Sequence, residues 1–427
     1  MLPRRQAVLL EWLIAAVVGA VLLKLSDWMV PPATAAFPGH GERFVAMVND
    51  PFAFTGDFPH RVLWPLLANL VGRLGVAPPV FTQVCNAALL AVVFWFCRQR
   101  RAAWLDASLV TAAIAASGAV LVYKPMACYS DTLNLLLLVL SVHFVARPIV
   151  FWGLVLLAGL SHEMVFFFAP WLLWLRVHAG GGTWRRDGAA LAMTFALYAG
   201  WRLFVGAMVP AAAAGAPAAS YDAWYYFFHS FWVPWLLPGL WALWLLVVLA
   251  EFGPLLALAV VSWRCREPSM GGRLGLWLYF GCVLAMMMLA YDVMRFATFA
   301  CLPVLLGSLA LLRQAAMRLW FVGILVASIA TYVWQHPVPS QQGGAIFTRV
   351  GPEMFAWVIP RVKEGQRVTW SDAMDVQLQS LSQHASVWIT VVAAAVGIVA
   401  LGLWLARYVG SASSSGSEPR TQRNASP

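Results

Sequence analysis

Long apolar runs alternate with short polar connections along most of this chain. A helix needs about 20 predominantly apolar residues to cross a hydrocarbon core about 30 Å thick, and many of the runs approach that length. The pattern predicts an all-α polytopic integral membrane protein with about 12 transmembrane helices. The predicted spans cover about residues 7–25, 79–97, 104–123, 133–146, 149–176 as two short runs, 188–209, 238–263, 274–290, 297–312, 319–335 and 387–406.

The run at 149–176 is interrupted at Ser161-His162-Glu163. Each half has only about 13 residues, or about 20 Å of helix, which is short for a full crossing. Either two short helices meet near the outer surface, or the segment is a re-entrant pair. Both alternatives bring His162 and Glu163 towards the outer side.

Arginine-rich connections predict the orientation, because cytoplasmic loops carry an excess of Lys and Arg. They place both termini in the cytoplasm. The predicted location is a bacterial inner (plasma) membrane, with the chain as a multi-pass protein. Residues 1–409 form one transmembrane domain, with an amphipathic interfacial helix from Arg61 to Leu74. The Ser/Gly-rich residues 410–427 are predicted to be a disordered cytoplasmic tail. The larger outer loops cover about residues 26–78, 210–237 and 336–386.

Composition supports a bilayer environment and excludes other classes of protein. The 427 residues are 62% hydrophobic and only 11% charged. A soluble domain has no means of burying that much apolar surface. The net charge of +10 is spread over short loops rather than a basic stripe, so no nucleic-acid partner is predicted. The six cysteines form neither a CxxC motif nor a Cys/His cluster, and no metal or cofactor is predicted.

Charged side chains at the predicted outer side are the candidate site. A charge near a membrane centre costs about 2.5–3.5 kcal/mol and usually faces a cavity, so an outward-facing cavity is predicted. Simpler interpretations remain open: a turn-forming Asp57, a local Asp292–Arg295 pair, interfacial Lys124 and Asp131, and an Arg202–Glu251 pair. The candidate residues are Asp50, Asp57, His60, Arg61, Lys124, Asp131, His162, Glu163, Arg202, Asp292 and Arg295.

Three segments resemble the GT-C superfamily of multispanning glycosyltransferases: the acidic first outer loop followed by HRVLWPLLA, the GLSHE junction, and YDVMR. The resemblance implies transfer of a sugar from a polyprenyl-phosphate carrier to an acceptor at the outer face of the membrane. It makes Asp57 the candidate base with Glu163 in reserve. The residues implied to bind phosphate are Arg61, Lys124 or Arg295. Many members place two acids side by side in the first loop, whereas Asp50 and Asp57 are separated here.

The same charges also fit a secondary transporter or flippase for a polar or lipid-linked solute. No internal repeat supports that alternative, and the charges gather at one face rather than the midplane. A non-catalytic membrane scaffold is a third alternative. No Walker, GxSxG or HExxH motif is present. The predicted partners are therefore membrane lipid and a lipid-linked sugar donor, with no prediction of oligomeric state.

Overall fold

The computed structural model describes residues 4–37, 40–52, 59–208, 238–290, 293–335 and 385–414, together with 375, 379 and 383. Every regular element within these ranges is helical, as predicted. Seven helical stretches within the described residues, some of which join successive helices, are long and apolar enough to cross a membrane. Five further apolar helices have 10–17 residues. Several of the described helices could therefore span a membrane, while the total of about 12 crossings stays a prediction.

The helices of the first half follow the predicted runs closely. The run at 104–123 is broken near Ser117, where the chain turns before a four-residue helix. The run at 149–176 divides at His162, as its sequence indicated. The helices are α1 Arg4–Leu25, α2 His40–Asn49, α3 Leu63–Gly72, α4 Pro78–Gln99, α5 Trp104–Ala115, α6 Gly118–Leu121, α7 Asp131–His143, α8 Pro148–Ser161, α9 Ala169–His178 and α10 Trp184–Met208.

In the second half, one predicted span is divided by a glycine. Gly253 has a φ of +52°, and a short 3-10 turn over Gly253–Leu255 separates two helices that the sequence joined as 238–263. The last helix continues to Ser414, beyond the predicted start of the tail at 410, and residues 415–427 lie outside the described part. The helices are α11 Pro238–Phe252, α12 Leu256–Arg264, α13 Gly272–Ala290, α14 Val293–Ala297, α15 Cys301–Leu312, α16 Arg318–Gln335 and α17 Ala385–Ser414.

Apolar side chains divide the helices into a central set and a peripheral set. All of α15 is buried, whereas α1 exposes Leu9, Leu13, Val17 and Val21 at four-residue intervals. Residues four apart lie on one face of a helix, so α1 presents a continuous apolar stripe. Such a surface fits contact with lipid chains rather than water.

The polar residues collect at two ends of the helix bundle. At the site end, α7 and α14 begin and α8 stops; at the basic end, α4, α12 and α15 stop. The connections at the basic end are joined to one another, because Arg100 donates a hydrogen bond to Ser269 and Arg318 pairs with Asp106. α4 has 22 residues, about 33 Å of helix, which is enough to separate the two ends by a hydrocarbon core.

Candidate functional site

A buried ion pair joins α7 to α14 at the site end. Asp131 is the first residue of α7, where a carboxylate is favoured by the N–H groups of the first turn, which have no acceptor within the helix. Arg295 Nε donates to Asp131 Oδ2 at 3.1 Å, and Arg295 Nη2 lies 2.9 and 2.7 Å from the two carboxylate oxygens. The Asp131 side chain is fully buried and that of Arg295 is 8% exposed. Each charge therefore depends on the other for stabilisation.

A second ion pair joins the start of α3 to the end of α8. α8 ends at Ser161 and His162 is extended (φ −161°, ψ 125°), so the chain turns and a 3-10 segment begins at Glu163. Arg61 contacts this carboxylate with both arms, Nε to Oε2 at 2.8 Å and Nη2 to Oε1 at 2.5 Å. His60 Nε2 lies 3.3 Å from Oε2. Burial lowers the pKa of His60 although Glu163 opposes the shift, which leaves a neutral ring able to donate.

His162 lies between the two ion pairs. Its Nε2 is 3.3 Å from Arg295 Nη2, and its Nδ1 is 3.7 Å from Glu163 Oε2. The Met164 N–H also points at Nδ1, at 3.3 Å. A neutral imidazole accepts at one nitrogen only, so Met164 and Arg295 compete for that single acceptor. Arg61, Glu163, His162, Arg295 and Asp131 thus form one continuous set, here called the paired-charge cluster.

Neighbouring side chains that the sequence analysis did not single out hold the cluster in place. The Arg295 guanidinium lies 4.4 Å from the centre of the Tyr129 ring, a cation–π contact. Tyr123 donates its hydroxyl hydrogen bond to the Arg295 carbonyl at 3.1 Å and lies 2.9 Å from the Thr298 hydroxyl. Asn134 donates to the His162 carbonyl at 3.0 Å. Tyr123 directly precedes Lys124 and Tyr129 lies two positions before Asp131, and this proximity to two candidate residues is the signal in the sequence that points to them.

α10 adds a further cation beside His60. Trp201 donates its indole N–H to the His60 carbonyl at 2.9 Å, and the Tyr198 ring contacts the His60 ring edge-on. Arg202 is exposed and close enough to His60 to contribute to lowering its pKa. Glu251 packs against Gly118, and the suggested Arg202–Glu251 pair stays a prediction.

Lys124 occupies a different environment from the one the sequence suggested. Its ammonium group is fully buried and donates to Asp27 Oδ1 at 2.7 Å and to the Leu23 carbonyl at 3.3 Å. Asp27 also pairs with Lys24 at 2.7 Å. Lys124 therefore ties the end of α1 to the chain before α7, and Asp131, its expected neighbour in function, pairs with Arg295 instead.

The remaining candidates divide into one exposed residue and two that the structure does not describe. Asp50 is exposed, and its Oδ1 accepts a hydrogen bond from the Phe52 N–H at 3.2 Å, which is the geometry of a turn-forming aspartate. Asp57 and Asp292 lie outside the described residues. Asp57 is three positions before His60 in the sequence, and Asp292 is three before Arg295. The predicted outward cavity stays a prediction.

Comparisons with models of protein families, with curated proteins and with solved structures give no match. The guide to the function is therefore the chemistry of the paired-charge cluster. Two guanidinium groups with a histidine between them suit an anion that carries several acceptor oxygens, such as a phosphate.

Proposed function

We propose that this chain is a membrane glycosyltransferase that moves a sugar from a polyprenyl-phosphate carrier to an acceptor at the site end. The observation that carries the proposal is the convergence of Arg61 and Arg295 on the two sides of His162. Donors from separate helices are thereby brought together beside His60, which follows Asp57 by three positions in the sequence. At most about 11 Å of extended chain separates the Cα atoms of Asp57 and His60.

In this proposal the arginines bind the phosphate of the donor. Arg61 and Arg295 each hold a carboxylate with two donor groups, the geometry that they would offer to phosphate oxygens. Donor binding exchanges at least one of these carboxylates for the phosphate. Glu163 and Asp131 then serve as internal anions that keep the arginines oriented when no donor is bound.

Asp57 is proposed as the base, in preference to Glu163. Both oxygens of Glu163 contact Arg61, and an adjacent cation favours the ionised carboxylate and makes it a weak base. During transfer the acceptor hydroxyl oxygen bonds to the anomeric carbon of the sugar, and its proton passes to Asp57. The bond between that carbon and the phosphate oxygen breaks, and polyprenyl phosphate leaves with the electron pair.

Reconstituted full-length protein tests these roles with a radiolabelled polyprenyl-phosphate hexose as donor and polyprenyl phosphate alone as binding probe. We expect Asp57→Asn to abolish transfer while binding of polyprenyl phosphate is retained, because the base is needed only for turnover. Arg61→Lys should weaken binding by about 1.5–3 kcal/mol, because it removes a charged two-armed contact. Asp50→Asn, which alters an exposed turn, is the matched control. Full transfer by Asp57→Asn would remove that residue from the mechanism.

One observation favours a secondary transporter as the second candidate. His162 can exchange its proton between two nitrogens that face separate ion pairs, and such a chain of groups can carry a proton. A transporter would move solute across vesicles without forming a covalent product from any lipid-linked sugar. In that case His162→Gln should abolish proton-coupled flux, whereas a glycosyltransferase should show product in the wild type and no such flux.

A further inference from the structure

A second polar region lies at the basic end of the bundle, away from the paired-charge cluster. Three connections, α4–α5, α12–α13 and α15–α16, converge there around a cavity of about 410 Å³. Arginine is ordinary in loops beside membrane spans. The arginines at the basic end are distinguished by the convergence of their three connections on one cavity. The charged residues that line the cavity are Arg100, Arg101, Asp106, Glu267, Arg313 and Arg318.

The two carboxylates neutralise only part of this positive charge. Asp106 is buried and holds Arg318 with two contacts of 2.7 and 2.9 Å. Glu267 is buried too; it accepts a hydrogen bond from Ser269 at 3.0 Å and lies 3.9 Å from Arg313. The Arg313 side chain remains 64% exposed, so this long contact leaves its guanidinium available. Four arginines against two acids leave an excess positive charge in the cavity.

Arg101 is available as well. Within the described part of the chain its guanidinium has no hydrogen bond or ion pair. Its backbone has a φ of 62°, a left-handed conformation that few non-glycine residues adopt. The neighbouring Arg100 donates to Ser269, and burial, together with the nearby Arg313, lowers the pKa of Arg100 despite the opposing Glu267. These cations repel one another, and a bound anion would relieve that repulsion.

One wall of the cavity is apolar. Leu306, Leu309 and Leu312 line it from one face of α15, whose sequence lies within a candidate membrane span. These leucines are buried within the bundle. Three candidate membrane spans end beside the cavity, at Gln99, Arg264 and Leu312, which is the level at which lipid headgroups lie, so a phospholipid would place its phosphate near the arginines. We propose that this basic cavity binds a phosphate group, supplied by the headgroup of an anionic phospholipid. The site is separate from the proposed transfer site and does not depend on its chemistry.

The proposal is tested with the purified full-length protein and vesicles of phosphatidylglycerol in phosphatidylcholine, with retained lipid measured by native mass spectrometry. Arg101→Ala combined with Arg313→Ala should weaken retention of phosphatidylglycerol by about tenfold or more, because each phosphate contact to arginine is charge-assisted. Arg185→Ala is the matched control: this exposed arginine lies in the first turn of α10 and does not line the cavity. Arg101→Lys with Arg313→Lys should keep most of the binding.

The source of the phosphate is distinguished by adding inorganic phosphate. We expect it to displace phosphatidylglycerol only at far higher concentration, because it has no acyl chains to hold it at the ends of the membrane spans. Equal competition would assign the cavity to a soluble phosphate and overturn the lipid part of the proposal. Equal lipid retention by Arg101→Ala/Arg313→Ala and by Arg185→Ala would overturn the site itself, as would wild-type retention of phosphatidylglycerol no greater than that of phosphatidylcholine.

Discussion

At the scale of single residues, the pairing of Asp131 with Arg295 has the clearest consequence for stability. The Asp131 carboxylate is fully buried, and it accepts hydrogen bonds from two nitrogens of the same guanidinium. A charge left alone in such surroundings is strongly destabilising, although a well-packed apolar replacement of both partners is often tolerated. The effect of a substitution on stability therefore depends on whether the charge that remains, Asp131 or Arg295, still has its partner.

We expect Asp131→Asn to lower the free energy of unfolding by about 3–5 kcal/mol, because it leaves the Arg295 guanidinium without its buried counter-charge. Unfolding in mixed lipid–detergent micelles measures the change. Replacing both partners, Asp131→Leu with Arg295→Met, should recover much of the loss. Asp50→Asn is the control and should cost less than about 1 kcal/mol, since its carboxylate is exposed. A cost of that small size for Asp131→Asn would show that the pair is not the stabilising contact.

At the scale of helices, α12 and α15 approach so closely that only glycine fits between them. A Cβ atom on Gly307 would lie 1.7 Å from the Leu258 carbonyl oxygen and 2.5 Å from its carbonyl carbon. These are backbone atoms, so they cannot rotate aside as the end of a flexible side chain can. The small residue permits close packing of the two backbones, as at many helix contacts within membranes.

Gly307→Ala should therefore destabilise the protein by about 1–3 kcal/mol through overpacking. Gly153→Ala is the matched control, because Gly153 is also inside a helix but has no atom within 4 Å of the added Cβ. That control should be neutral or stabilising by up to about 1 kcal/mol, since alanine favours the helix. Unfolding of the two variants under the same conditions decides the matter; equal stability would contradict the close approach of α12 and α15.

At the scale of the whole molecule, the two polar ends should face opposite sides of a membrane. Asp50 lies at the end of α2, near the site end, and Arg186 lies in the first turn of α10, at the basic end. We expect an impermeant maleimide to label Asp50→Cys from one side of sealed vesicles and Arg186→Cys from the other. Cys265 should first be replaced by Ser, because the other five native cysteines are buried. Labelling of both positions from the same side would contradict this arrangement.

The absolute orientation is a separate prediction. The excess of arginine in the connections at the basic end predicts that this end is cytoplasmic. In right-side-out vesicles Arg186→Cys should then be protected from the reagent, and Asp50→Cys should react. The reverse result would indicate the opposite orientation in the membrane and place the proposed transfer at the cytoplasmic side.

The sequence by itself determined the helical class, the positions of the apolar runs and the break at His162-Glu163. These features depend on local hydrophobicity and helix length, which the sequence shows without any knowledge of which helices are in contact. It also selected Arg61, His162, Glu163, Asp131 and Arg295 as residues of interest, because charges beside apolar runs are costly wherever they lie.

Only the tertiary structure decided which of these charges are partners. Asp131 and Arg295 are 164 positions apart, and Arg61 and Glu163 are 102 apart, so no local spacing predicts either pair. The sequence groups Lys124 with the site because its turn is predicted to face the same side, but packing brings it to Asp27, a residue that no sequence pattern indicates. Helix packing sets these distances, and a hydropathy pattern contains no information about which helices are neighbours.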